Sequence, residues 1–223
     1  HDSGILKTLD ILEDFSPSNE LVNSNVPHPT NPIKRQEHFA LFDLVGHHDA
    51  TSIAIASGDW SDATVWSDGV VPPSEARVLI PAGVRVLVDR VRDEVLHTIR
   101  VDGSLDFDPL VNTGLVVDTM IITPSGALIM GTEDFPIDAG VTARIAIADR
   151  GPIDREWDPF AFSRGIVNHG RGSFYGTMKS SWHALEEIPM SGAETLTLEM
   201  APINWQIGDS IVIAGSRQNE SEE

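Results

Sequence analysis

The sequence predicts an all-β fold, a parallel solenoid of short strands running from about Ala54 to Ala214. Three observations predict it. The apolar runs are short, rich in β-branched residues and bounded by Gly, Pro or Asp. Gly83, Gly103 and Gly126 recur at spacings of 20 and 23 residues, each between two such runs. A unit of that length buries its apolar face only by stacking on the next copy. Third, helical periodicity is nearly absent, with one short exception near the start. A β-sandwich remains the competing arrangement, because regular short strands also suit it.

The elements follow in order. Ile5, Leu6, Leu9, Ile11 and Leu12 line one face of a short helix. Pro17 to Pro32 reads as an extended linker rich in Pro, Asn and Ser. Phe39, Leu41, Phe42, Leu44 and Val45 form an apolar segment placed to lie against the main domain. Strands are expected at Ser52–Ala56, Arg77–Ile80, Val84–Val88, Thr98–Val101, Ser104–Phe107, Leu115–Val117, Met120–Ile122, Ala127–Met130 and Ala143–Ala148. Each of the three glycines is expected to let the chain turn a corner with φ > 0. After Asp149 the regularity lapses into a loop holding Pro152, Trp157 and Pro159. Strand character resumes at 165–170, then at Thr195–Leu198 and Asp209–Ala214. The implied organisation is an N-terminal arm (1–50), a regular section (51–150), a loop-rich continuation (151–215) and a polar tail (216–223).

Composition narrows the function. Of 223 residues, 41% are hydrophobic and 22% charged, as in a globular protein. With 15 Lys and Arg against 34 Asp and Glu, the net charge is −19. Nucleic acid is excluded as a partner, since phosphate binding needs clustered cations, and an anionic membrane surface is disfavoured likewise. No apolar run reaches the roughly 20 residues of a membrane helix. There is no cysteine, so disulfides, zinc–thiolate sites and thiol catalysis are excluded. The first residue is His rather than Met, which reads as a processed or engineered start.

The ordered series Ser57-Gly58-Asp59-Trp60-Ser61-Asp62, Val65-Trp66, Gly69, Val71-Pro72, 78–89, 98–105, 126–132 and Pro136-Ile137 resembles the G8 domain. The likeness continues through Asn168-His169-Gly170, Ser181-Trp182 and 205–214, covering about 53–215. This resemblance implies a single-stranded right-handed parallel β-helix with a capping segment and loop insertions, placed outside the cell or at its surface. Relatives include fibrocystin-like and hyaluronan-depolymerising proteins. The segment Arg171–Ser180 is longer here than in the larger relatives, and those relatives continue into further coils.

Candidate sites follow from residue chemistry. Trp60 and Trp66, six apart in a Gly/Asp-rich stretch, are either a sugar-stacking platform or a plug over the end of the stack. Trp157 and Trp182 are further candidate ligand-binding aromatics. His169 is either a structural histidine or, with Asp149, Asp154 or Glu156, the candidate acid/base set, because such chemistry needs two groups whose pKa values are split. His47, His48 and Asp49, with His28 and His38 upstream, are the candidate metal ligands. The carboxylates Asp59, Asp62, Asp68, Asp89, Asp102, Asp106 and Asp108 are either turn-forming residues or oxygen ligands for Ca²⁺, the one candidate cofactor; no EF-hand or nonapeptide pattern is present. The leading expectation is an extracellular module that binds polysaccharide or acts as a structural or adhesive element. The rivals are a glycan-degrading enzyme, or its N-terminal part, and a structural subunit of a surface assembly. In the last of these, residues 1–50 would dock on a neighbouring protein.

Overall fold

The computed structural model describes residues 39–214. The predicted helix at 5–12, the linker at 17–32, His28, His38 and the polar tail lie outside the described residues. The chain divides into two compact units, one ending at Gly176 and one beginning at Thr177.

The first unit is built from eleven strands: β1 (Ser52–Ile53), β2 (Gly58–Asp59), β3 (Arg77–Ile80), β4 (Arg85–Val88), β5 (Val91–Val101), β6 (Ser104–Phe107), β7 (Thr113–Ile122), β8 (Ala127–Met130), β9 (Ala143–Ile147), β10 (Gly165–Asn168) and β11 (Arg171–Phe174). They form two sheets. One runs β1-β3-β5-β7-β10, with β9 also on β7, and the other runs β2-β4-β6-β8-β11. Every strand pair is parallel. Parallel neighbours cannot be joined by a tight hairpin, and most connections here cross to the other sheet before returning. The hairpin-linked sandwich that the sequence left open is therefore absent from the described strands.

Register puts like residues over like. Val78, Ile99 and Met120 stack, as do Ile80, Val101 and Ile122 from the same sheet. Val86, Leu105 and Leu128 stack from the other. All nine are at most 1% exposed and belong to one core. Burying such a side chain contributes about 1.5–3 kcal/mol, and each rung obtains it only from its neighbours.

The corner between the sheets needs glycine, but mostly not for the expected reason. Gly83 does have φ +82, whereas Gly103 and Gly126 do not have positive φ. A Cβ on Gly103 would stand 2.2 Å from the carbonyl oxygen of Val84, and one on Gly126 would stand 2.1 Å from that of Val101. Those glycines are required because the neighbouring rung's backbone occupies the space. The corner is held by Ala127 N–H donating to Gly103 O (2.8 Å) and Ser104 N–H donating to Val84 O (2.9 Å).

Two long strands depart from expectation. β5 begins at Val91, and the two runs predicted at 115–117 and 120–122 are one strand, β7. Leu96 and Ile99 of β5 both belong to the core, so the in–out alternation breaks between them. β9 pairs with the first half of β7 and β10 with the second, each in register. Residues 149–164 are thus looped out of a single rung, opposite Asp118. β11, which the low strand propensity of Arg171-Gly172-Ser173 concealed, pairs with β8.

Trp60 and Trp66 close the first rung. Both are 1% exposed, with ring centroids 5.0 Å apart, and the Trp66 indole N–H donates to Trp60 O at 2.9 Å. A buried ring offers no face to a sugar, so the platform reading of these two residues is corrected. A short helix at 39–43 lies on the outer side of the first sheet, where Leu41, Phe42, Leu44 and Val45 pack with Ile121.

The second unit contains no named strand among its described residues. The predicted strands Thr195–Leu198 and Asp209–Ala214 are not formed, apart from an isolated bridge between Leu185 and Leu198. Ile211, Val212 and Ile213 are more than half exposed. Strand propensity alone does not make a strand without a paired edge and a buried face.

Candidate functional site

The outer face of the first sheet gathers several predicted residues under the helix at 39–43. His169 follows β10 and lies against the Phe42 ring, centroids 5.3 Å apart. Burial holds its imidazole below the usual histidine range. Trp157, on the looped-out segment, packs against the same apolar cluster and covers His97 at 4.8 Å between rings. Burial, then the charges of Arg77 and Arg150, lower the His97 pKa, with Asp118 opposing in part.

The candidate acids sit in that loop and serve its backbone. Asp154 Oδ1 accepts the N–H groups of Glu156 and Trp157, at 2.9 and 3.4 Å. Asp158 accepts those of Phe162 and Ser163, at 3.0 and 2.7 Å. Glu156 is exposed. No hydrogen bond or ion pair between His169 and either Asp154 or Glu156 is seen among the described residues.

The loop's neck is fastened at Asp118, which is 2% exposed. Arg164 Nε approaches its Oδ2 at 3.1 Å and Arg150 Nε at 3.9 Å. Arg164 also donates to the carbonyls of Gly151 and Pro152, and Thr119 Oγ1–H donates to Asp118 Oδ1 at 2.7 Å. One buried carboxylate thus ties both ends of a 16-residue excursion to β7. Sequence reasoning missed it, although a carboxylate inside the apolar run 115–122 was the available signal.

A second buried pair fixes the helix. Arg100, 3% exposed, directs Nη1 to the carbonyls of Phe42 (3.3 Å) and Val45 (3.0 Å) and Nε to Asp102 (3.0 Å). A cation at a helix C-terminus is favourable. His47 Nε2 stands 2.6 Å from Asp102 Oδ2. Burial pushes the Asp102 carboxyl up, but the His47 hydrogen bond and the Arg100 charge outweigh it and leave it below the usual range.

The structure places the predicted metal set as follows. His47 faces Asp102, and His48 lies 3.7 Å from Asp49. Among the described residues no group of three or more His, Asp or Glu is arranged to hold a metal ion. Several of the Ca²⁺-candidate carboxylates are engaged elsewhere: Asp62 with Thr64, Asp89 with Ser61 and Arg90, Asp106 with Arg85, Asp108 with the Leu110 N–H.

The second unit holds its own cavity, of about 780 Å³, lined in part by Trp182, His183, Trp205, Lys179 and Asp209. Trp182 is 76% exposed. The Trp205 indole N–H donates to Ser180 O at 2.8 Å, and its ring meets His183 edge-on with centroids 5.3 Å apart. Lys179 Nζ lies 2.7 Å from both oxygens of Asp209. Of the predicted aromatics, Trp182 is thus the one presented openly beside a cavity.

Comparison with known proteins gives a consistent result. A G8 domain family model matches residues 65–186. Fibrocystin-L of Mus musculus is 28% identical over 167 residues, covering 73% of this chain and 4% of that protein. Protein rliB of Dictyostelium discoideum is 26% identical, covering 71% of this chain and 14% of that protein. A G8 domain-containing protein of the same organism is 28% identical over 205 residues, covering 84% of this chain and 18% of that protein. The chain therefore spans only a small part of the length of these relatives. No solved structure matches it.

Proposed function

The chain belongs to the G8 domain family, and from that premise we propose that it is an extracellular or cell-surface module that binds polysaccharide or serves as a structural, adhesive element. The first unit is read as a right-handed parallel β-helix that acts as a rigid scaffold. Its stacked parallel rungs and its corner glycines support that reading. Among the described residues no helix is long and apolar enough to cross a membrane.

One observation carries the binding role: the open Trp182 at a cavity that also holds Trp205 and His183. An indole face stacks on the apolar face of a sugar ring and keeps a polar edge for hydroxyls. Two of the residues offered for catalysis, His169 and Asp154, make contacts that suit a scaffold. His169 lies beneath Phe42, and Asp154 holds a turn.

The test pairs binding with turnover. Titration calorimetry of the chain against soluble polysaccharides is expected to give saturable heats, with no new reducing ends on prolonged incubation. Reducing-end release that His169→Ala abolishes would instead establish the glycan-degrading rival. Deleting residues 1–36 is expected to leave the oligomer size unchanged; a smaller species would favour docking of that arm on a neighbour.

A further inference from the structure

We propose that the cavity of the second unit selects an uncharged sugar ring over an anionic one such as a uronate. This rests on the polysaccharide-binding reading above and narrows its ligand class.

The argument begins with charge. Lys179 is the one full cation lining the cavity among the described residues, and Asp209 binds it at 2.7 Å through both oxygens. The pair is neutral in sum, so a carboxylate entering the cavity would lose water and meet no free cation. Desolvating an unpaired charge is among the costliest steps in binding. At long range the net charge of −19 also repels an anion.

The remaining chemistry suits hydroxyls and C–H faces. Trp205 is fixed by its bond to Ser180, so its ring is pre-oriented, while Trp182 is open at the rim. His183 lines the same cavity, its ring edge-on to Trp205. A sugar hydroxyl both donates and accepts, so it pairs with an imidazole in either tautomer, whereas an ionised carboxylate only accepts.

The experiment is calorimetric titration of the full chain, followed in parallel by tryptophan fluorescence. The probes are neutral glucan and mannan hexasaccharides and a hyaluronan hexasaccharide of equal length. At least one neutral probe is expected to bind with affinity about tenfold or more above that of hyaluronan, a gap equivalent to one decade in Kd. Trp182→Ala, at an exposed position and with its fold checked by circular dichroism, is expected to abolish most of that binding. Asp209→Asn frees Lys179 and is expected to narrow the gap by raising hyaluronan affinity. Hyaluronan binding as tightly as the neutral probes to the parent chain would overturn this inference and leave the polysaccharide reading standing. Neutral binding indifferent to Trp182→Ala would overturn the assignment to this cavity. Binding of no probe by the parent chain would overturn the polysaccharide reading itself, and the inference with it.

Discussion

Gly126→Ala adds a single methyl group at a corner of the stack. Its Cβ would stand 2.1 Å from Val101 O and 3.0 Å from Ile122 Cγ2. Ordinary contact begins at 3.4 Å, about 1.3 Å beyond the first of these distances. The neighbouring rung cannot yield that much without stretching the hydrogen bonds that define the corner. These are Thr123 N–H to Val101 O (3.0 Å), Gly126 N–H to Thr123 O (2.8 Å) and Ala127 N–H to Gly103 O (2.8 Å). Overpacking of this kind costs about 1–3 kcal/mol, and weakening two backbone bonds adds about 1–2 kcal/mol. The lower entropy of the unfolded alanine chain returns about 0.4–1 kcal/mol. The net expectation is destabilisation by about 3 kcal/mol, or a fall in Tm of about 6–12 °C for a domain of this size. Gly140→Ala is the control, because a Cβ there meets nothing within 4 Å and φ is not positive. It should leave Tm unchanged or slightly raised. Thermal unfolding followed by far-ultraviolet circular dichroism reads both variants. A Gly126→Ala midpoint within about 2 °C of the parent would refute the steric account of the corner.

Three further outcomes are expected. Trp66→Ala should destabilise the first unit by about 3–5 kcal/mol, as truncation of a core tryptophan does; urea unfolding measures it, and an unmoved midpoint would mean the ring is no plug. Asp118→Ala leaves Arg150 and Arg164 without their shared carboxylate, at a cost of about 3 kcal/mol. Limited proteolysis should then cut within 149–164 well before the rest of the chain, and equal resistance to the parent would dismiss the neck. His97 and His169 both have folded-state pKa values below the unfolded value. The unfolded chain therefore binds more protons once pH drops below about 6.5. Stability from these sites is complete above that pH and declines as pH falls toward the folded-state values. A His97→Gln/His169→Phe double variant should flatten the stability–pH slope between about pH 6.5 and 5, and a slope equal to the parent's would contradict the assignment.

The repeating part of the fold was readable because its signals are local. Arg77–Ile80, Ser104–Phe107 and Ala127–Met130 are strands at the bounds the sequence suggests. Their short apolar runs next to Gly, Pro or Asp need no distant information. What escaped depends on partners. Val91–His97 is strand because β7 lies beside it, although Arg92, Asp93 and Glu94 look like a loop. Gly103 and Gly126 were recognisable as equivalent, but their reason was not. A carbonyl from the preceding rung is invisible in a one-dimensional pattern. Arg100 and Asp118 were passed over because a charge in an apolar strand gains meaning only when its counter-charge is placed. The site was less legible still. Trp60, Trp66, Trp157 and Trp182 are the same residue type in similar company, yet the first two are interior, the third is half-buried and the fourth is open.

The stacked rungs are what every other claim depends on, and one distance tests them. Arg85, Ser104, Ala127 and Arg171 are successive register partners across β4, β6, β8 and β11. Strand spacing places Arg85 and Arg171 about 14 Å apart along the stack. The chain has no cysteine, so Arg85→Cys with Arg171→Cys gives a uniquely labelled pair. Electron paramagnetic resonance between spin labels at these positions should report a separation near that value, broadened by the label arms. A distribution centred well beyond about 25 Å, more than five strand spacings, would contradict the parallel stack.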